Sequence, residues 1–278
     1  MLRQDTRRRV TIVLDINRYG LACDGRGPVD YERTWAEQRV IHQQVVDREH
    51  PGTVLLLEHD SVYTAGKRTD PLHMPLDDTP VITVDRGGSI TWHGPGQLVA
   101  YPILRLPQRV YVGDLVRRLE RCVMAVCEHF GVATVPVTGR SGVWVPADEH
   151  GPERKICAIG LRVAQGVSMH GIALNCDCDL AAFTRITPCG ISDAGVTSLS
   201  RECGRDVSVA EAAEVLTEQL RAFFGEWVTT DATTDSTINV TTDATTDAAT
   251  NATTDSTTDS ATLPSLPQHL ATAYSEAP

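Results

Sequence analysis

A chain of 278 residues with 41% hydrophobic content is long enough for one large domain or two small ones, and it has the material for a sizeable core. Its net charge is −11, but residues 229 onward supply −7 of that, with six Asp, one Glu and no Lys or Arg. Residues 1–228 are therefore nearly balanced, and with only 5% aromatic residues they lack both the basic footprint and the stacking surface of a nucleic-acid binder. No stretch approaches the ~18 apolar residues of a membrane span.

Eight cysteines, at 23, 122, 127, 157, 176, 178, 189 and 203, are too sparse for a small secreted disulfide scaffold. The apolar run VTIVL behind Arg7–Arg9 ends at Asp15, shorter than an export segment. Reduced thiols in a cytoplasm are expected.

In chain order, an Arg-rich arm at 1–10 precedes a domain predicted to span 11–228. Helical periodicity covers 31–48. TVLLLEH (53–59), PVITVDR (80–86) and QLVAYPILRL (97–106) read as strands, short, β-branched and bounded by Gly, Pro or Asp. A second helix is predicted over 112–130. Strands follow at SGVWVP (141–146), ICAIGLRV (156–163) and MHGIALNC (169–176). The third helix, 208–225, opens on Ser208 with Glu211 three residues on, a capping-box spacing. Helices and strands do not alternate regularly, which predicts an α+β fold with a mixed β-sheet and packed helices. The tail, 229–278, is a degenerate TTDA/TTDS repeat with almost no core-forming side chains, and disorder is expected there.

One residue type is conspicuous. Of 25 Lys+Arg only Lys67 and Lys155 are lysine. A chain so biased uses arginine for generic positive charge, whereas a desolvated lysine, unlike arginine, can become a neutral amine and act as a base. Lys67, in GKRT, reads as an ordinary loop residue; Lys155, in ERKICAIG, is a candidate for chemistry.

Residues 85–103, DRGGSITWHGPGQLVAYPI, place Ser89, Thr91 and His93 between glycine pairs, where backbone N–H groups can approach a ligand and Arg86 adds charge at the rim. The competing reading is a glycine-rich hairpin with a hydrogen-bonded His93. A phosphate loop does not fit, since neither GxxxxGK[ST] nor a strand-to-helix GxGxxG is present. Pro188 and Gly190 flank Cys189 in a turn suited to presenting a thiol, although most free cysteines are inert core residues. His170, Cys176 and Cys178 in HGIALNCDC invite a metal reading, but zinc patterns need two pairs at wider spacing.

Taken together, RGG-x-x-T-W-H-GPGQ with a following Y-P, then RK-x-x-A-IG-x-R, HG-x-A-x-N and PCGI resemble the lipoyl(octanoyl) transferases, over about residues 11–228. That resemblance implies a fold similar to the biotin- and lipoate-protein ligases. It implies transfer of an octanoyl group from octanoyl-acyl carrier protein to a lysine of apo lipoyl domains. The acceptors would be those of 2-oxoacid dehydrogenase complexes and the glycine cleavage H protein. It also implies a Cys189 nucleophile partnered by Lys155, with no cofactor and no metal. The implied acyl site comprises Arg86, Gly87, Gly88, Ser89, Ile90, Thr91, Trp92 and His93 with Ala158, Ile159, Gly160, Gly171, Ile172 and Ala173. Cys157 departs from the small apolar residue often found at its position in the block. Lys155 would either hold the thiolate as an ammonium or take its proton as an amine. Backbone N–H groups near Gly190 or along 158–160 are alternative oxyanion donors. Two competing functions remain: an ATP-dependent ligase of the same fold, whose activating loop carries more arginine than RGGSITWHGPG does, and a non-catalytic carrier-binding module.

Overall fold

The aliphatic runs TVLLL and QLVAYPI become neighbouring strands at the centre of a mixed sheet in the computed structural model. The structure describes residues 14–21, 25, 27–75, 79–149, 151–187 and 193–230, all within a compact unit spanning 1–236. The arm and nearly all of the Thr/Asp-rich tail lie outside the described residues, as does Cys189.

The main sheet has eight strands. Along it lie β1 (Asp15–Arg18), β2 (Thr53–Leu57), β6 (Gln97–Ile103), β10 (Val167–Asn175), β9 (Arg154–Ala164), β8 (Arg140–Val145) and β7 (Val135–Val137). Within this sheet, among the described residues, β1 on β2 and the short β11 (Gly195–Val196) on β9 pair in parallel and the other neighbours are antiparallel. A second sheet of three strands joins β4 (Val81–Thr83), β3 (Val62–Ala65) and β5 (Thr91–His93), and in it β3 and β4 are also parallel.

Among the described residues the α-helices are α1 (Tyr31–Val46), α2 (Val112–His129), α3 (Leu199–Cys203) and α4 (Val209–Thr230). One face of the main sheet, with Leu56, Leu98, Ile172 and Leu174, packs under α2 and α4 through Leu115, Leu119, Leu216 and Phe224. The opposite face, with Leu55, Leu57, Val99 and Tyr101, packs against Ile41 and Val45 of α1. The buried centre strands thus read as continuous apolar runs, while α2 shows a clear apolar stripe. Asp30 caps α1 by accepting the Arg33 N–H at 2.8 Å, and Ser208 accepts the Glu211 N–H at 3.2 Å at the start of α4.

This is the α+β arrangement predicted, with differences at element ends. The strand expected over 80–86 stops at Thr83, because Asp85 and Arg86 turn away to hydrogen-bond elsewhere. Helix α4 runs to Thr230, five residues past its predicted end, because Phe224 and Trp227 remain buried. Strands β1, β3, β5, β7 and β11 and helix α3 carry two to five residues each, too few for periodicity to register. Among the described residues, no helix is long and apolar enough to cross a membrane.

Candidate active site

Register decides where Lys155 points. β8 pairs Val143 with Cys157 but Trp144 with Lys155, so Ile156 is an extra residue in β9. Ile156 and Cys157 both enter the core under α2 and α4, whereas Ala158 packs on the α1 side. The bulge therefore turns Lys155 onto the same face as Ala158 and Gly160, where strict alternation would have sent it to the other. There its Nζ donates to the Ser141 carbonyl at 3.1 Å and lies 4.6 Å from the Trp144 ring centroid. Lys155 is only 8% exposed. Gly142 gives it room: a Cβ there would meet the Cys157 carbonyl at 2.5 Å and Lys155 Cε at 3.3 Å, and its φ of +121° disfavours any other residue.

Lys155 lies at the wall of a cavity of about 620 Å³, within the usual range of small-molecule sites. Its floor is the small-residue stretch of β9 and β10, Ala158, Ile159, Gly160, Gly171, Ile172 and Ala173. Gly171 is required by close approach, since a Cβ would sit 1.9 Å from the Ala100 carbonyl on β6. Arg86, Gly88, Ser89, Thr91 and His93 also line the cavity.

Three of the expected residues do not line it. Gly87 is occupied in a backbone bond from its N–H to the Leu161 carbonyl. Ile90 and Trp92 alternate away from Ser89, Thr91 and His93 into a satellite core with Tyr63 and Phe183, as the two-residue period of an extended chain demands. The rim position expected for Arg86 also needs correction. Arg86 is buried, and its guanidinium donates to the carbonyls of Ser89 at 2.8 Å and Thr64 at 2.8 Å, tying the RGG turn to β3. The trio His170, Cys176 and Cys178 does not converge: Cys176 and Cys178 enter different apolar clusters, and His170 bonds Asp85.

Titratable residues pack around the same cavity, among them Tyr31, His59 and Tyr101, which the sequence did not single out. Tyr31, at the start of α1, stacks on His93 with centroids 5.9 Å apart. Burial pushes Tyr31 up to about 12, with the Arg86 charge opposing. His59 donates Nδ1–H to the Val29 carbonyl at 2.9 Å and accepts the Tyr101 hydroxyl at 2.8 Å. Burial pulls His59 down to about 4, and it pulls His93 down to about 3 with help from His59 and Arg86. His170 sits at φ +59°, with Nε2 2.7 Å from Asp85, and burial lowers it to about 4. Burial opposes ionisation of Asp85, but the His170 hydrogen bond and the Arg162 guanidinium overcome it and hold its carboxyl below the usual value. These histidines are neutral near pH 7, so around the cavity they act as hydrogen-bonding imidazoles beside the Arg68, Arg86, Arg117 and Arg140 guanidiniums. The signal in the sequence was thin: Tyr31 and His59 lie in ordinary helix and strand-end contexts.

Cys189 falls in 188–192, outside the described residues. The residues bracketing that segment contact the cavity wall. The Thr187 N–H donates to the His73 carbonyl at 3.2 Å, and Asp193 pairs with Arg140 at 2.6 Å; His73 and Arg140 both line the cavity.

Comparison with known proteins decides the family. The lipoyl protein ligase A/B catalytic domain family matches residues 30–221. Curated octanoyltransferases of Salinispora arenicola and Salinispora tropica are 60% and 61% identical to this chain, over 72% and 70% of its length and 93% and 91% of theirs. The chain belongs to the octanoyltransferase family. An octanoyltransferase of Mycolicibacterium smegmatis is 57% identical over 68% of this chain and 82% of its own. Among solved structures, a bipartite lipoate protein ligase from Thermoplasma acidophilum matches with a TM-score of 0.55 at 12% identity, over 79% of this chain and 91% of that one. Lipoate-protein ligase A bound with ATP matches at 0.53 and 11%, over 79% and 94%. At such identities the likeness is one of fold, and this octanoyltransferase-family chain shares it with the lipoate-protein ligases.

Proposed function

We propose that the chain moves an octanoyl group from octanoyl-acyl carrier protein to a lysine ε-amine of apo lipoyl domains, through a thioester on Cys189. The observation that carries this reading is a lysine buried in the cavity of a chain about 60% identical to octanoyltransferases over nearly their full length. The contacts of Thr187 and Asp193 with the cavity wall support Cys189 as the second member of the pair.

A cysteine thiol near pKa ~8.5 is only a few per cent thiolate at neutral pH, so the nucleophile needs help. Lys155 supplies it by taking the thiol proton. The sulfur attacks the thioester carbonyl carbon, the bond from that carbon to the carrier's sulfur breaks, and the carrier leaves as its thiol with the proton that Lys155 took from Cys189. The products are an octanoyl-Cys189 thioester and free carrier. An acceptor lysine then loses a proton, with Lys155 again the acceptor, and its amine attacks the new thioester. An amide forms and Cys189 returns as a thiol. A thioester plus an amine becomes an amide plus a thiol, a downhill exchange that balances with no ATP, metal or redox partner.

The acceptors expected are lipoyl domains of 2-oxoacid dehydrogenase complexes and the glycine cleavage H protein. The free thiol chemistry suits a reducing cytoplasm. The test is an ATP-free mixture of protein, octanoyl-carrier protein and apo lipoyl domain. An octanoyl amide on the lipoyl domain is expected. Product that appears only with free octanoate and ATP would overturn the reading in favour of a ligase.

A further inference from the structure

Two motif residues, Gln97 of GPGQ and Asn175 of GIALN, have no part in the chemistry above, yet both are buried polar side chains. They form one chain of hydrogen bonds. Asn175 Nδ2 donates to the Thr197 carbonyl at 2.9 Å, Gln97 Nε2 donates to Asn175 Oδ1 at 2.9 Å and to the Trp92 carbonyl at 3.3 Å, and Gln97 Oε1 faces His93 Nδ1 at 2.8 Å.

The polarity of this chain is not free. The Thr197 and Trp92 carbonyls only accept, so the group facing each must be an NH2, which leaves both amide oxygens pointing toward His93. An oxygen at Nδ1 demands a proton there. His93 is neutral near pH 7, so its other nitrogen, Nε2, carries none. Among the described residues Nε2 has no hydrogen-bond partner, and His93 lines the cavity.

The same anchor holds Lys155. The Thr197 N–H donates to the Lys155 carbonyl at 3.0 Å while its carbonyl takes Asn175. Leu174 pairs with Cys157 and Asn175 with Gln97, so Gln97, Asn175 and Lys155 share one end of the main sheet, and His93 of β5 meets that end through its bond to Gln97.

We infer that Gln97 and Asn175 are positioning residues that lock His93 in its Nδ1–H tautomer, so that Nε2 offers a lone pair at the Lys155 end of the cavity to an N–H of the attacking amine. The amine's identity rests on the proposed function; the tautomer does not. Holding one N–H on Nε2 orients the nitrogen lone pair toward the acyl carbon once Lys155 has taken the ammonium's extra proton.

The experiment has two arms on the full chain. Histidine ¹⁵N spectra of the wild type, with His93→Ala to assign the ring, are expected to show His93 protonated at Nδ1 and bare at Nε2 from pH 6 to 8. Gln97→Leu should lose that preference. In single turnovers, Gln97→Leu and Asn175→Leu should slow octanoyl transfer from Cys189 to a lipoyl domain by about 10-fold while leaving formation of the adduct within about 2-fold. Adding Gln97→Leu to His93→Ala should cost nothing further, because the glutamine acts through the ring. A wild-type His93 protonated at Nε2 overturns the inference, even if no variant folds. Fully additive losses, or equal losses in both half-reactions, overturn it too. A wild type that carries no octanoyl group overturns the reaction and the amine's role, while the tautomer is judged on the spectrum alone.

Discussion

Lys155 occupies a position that packing alone would not give it. Burial favours an apolar side chain there, yet the Ser141 carbonyl and the Trp144 face supply a donor site and a cation-binding surface. An arginine keeps the charge and the capacity to donate to the Ser141 carbonyl but cannot accept a proton, so Lys155→Arg tests the base role. We expect both half-reactions to slow by at least ~10²-fold, the second more, because the incoming ammonium must be deprotonated. Single-turnover rates of adduct formation and transfer check this; near-wild-type rates in both steps would remove the base role. The lysine was legible in the sequence because only one other lysine exists to dilute it. The guanidinium of Arg86 was misread as a rim charge because a glycine-rich flank looks the same whether it cradles a ligand or lets a buried arginine reach carbonyls.

Elements with eight or more residues, or with unbroken aliphatic runs, were legible from the sequence because their patterns repeat. Short edge strands were not, and neither was the bulge at Ile156, since an offset belongs to a pair of strands and cannot be read from one. The face of β9 that carries Lys155 thus followed from tertiary pairing. The end of α4 is set in the same way. Arg118 on α2 pairs with Glu226 at 2.6 Å and lies 5.0 Å over the Trp227 ring, beyond the predicted helix end. A chain ending at Thr230 is expected to melt within a few degrees of the full chain, because the Thr/Asp repeat brings no apolar face to bury. One ending at Gly225 loses the buried Trp227 and should melt roughly 5–10 °C lower, from ~2–3 kcal/mol of burial. Equal melting temperatures for these two truncations, by calorimetry, would show that the last turn contributes nothing.

At the scale of the whole molecule, the buried histidines couple stability to acidity. His59 and His170 are held down to about 4 and His93 to about 3, all below the ~6.5 of an unfolded histidine. The unfolded chain therefore binds their protons first. Their contribution is complete above about pH 6.5 and is lost as pH falls from there toward the folded values, at up to ~1.4 kcal/mol per pH unit for each ring. Asp85, held below its usual value, adds to the loss only at lower pH; Asp177, raised by burial and by Glu58, opposes it as a single group. Urea midpoints should fall markedly between pH 7 and 5, and a flat profile would contradict neutral burial. The PCGI block lies outside the described residues, but the blocks between residues 86 and 175 were legible as neighbours around one cavity because their spacing is specific only in combination. The Tyr31, His59 and Tyr101 surroundings were not, because the three converge only through folding. The central claim is covalent transfer through Cys189, and intact-mass spectrometry tests it most directly. With octanoyl-carrier protein and no ATP, the wild type is expected to gain one octanoyl group on Cys189 and to lose it when an apo lipoyl domain is added, while Cys189→Ser gains none. An adduct on Cys176 or Cys178, or one that forms only with ATP, would contradict the account.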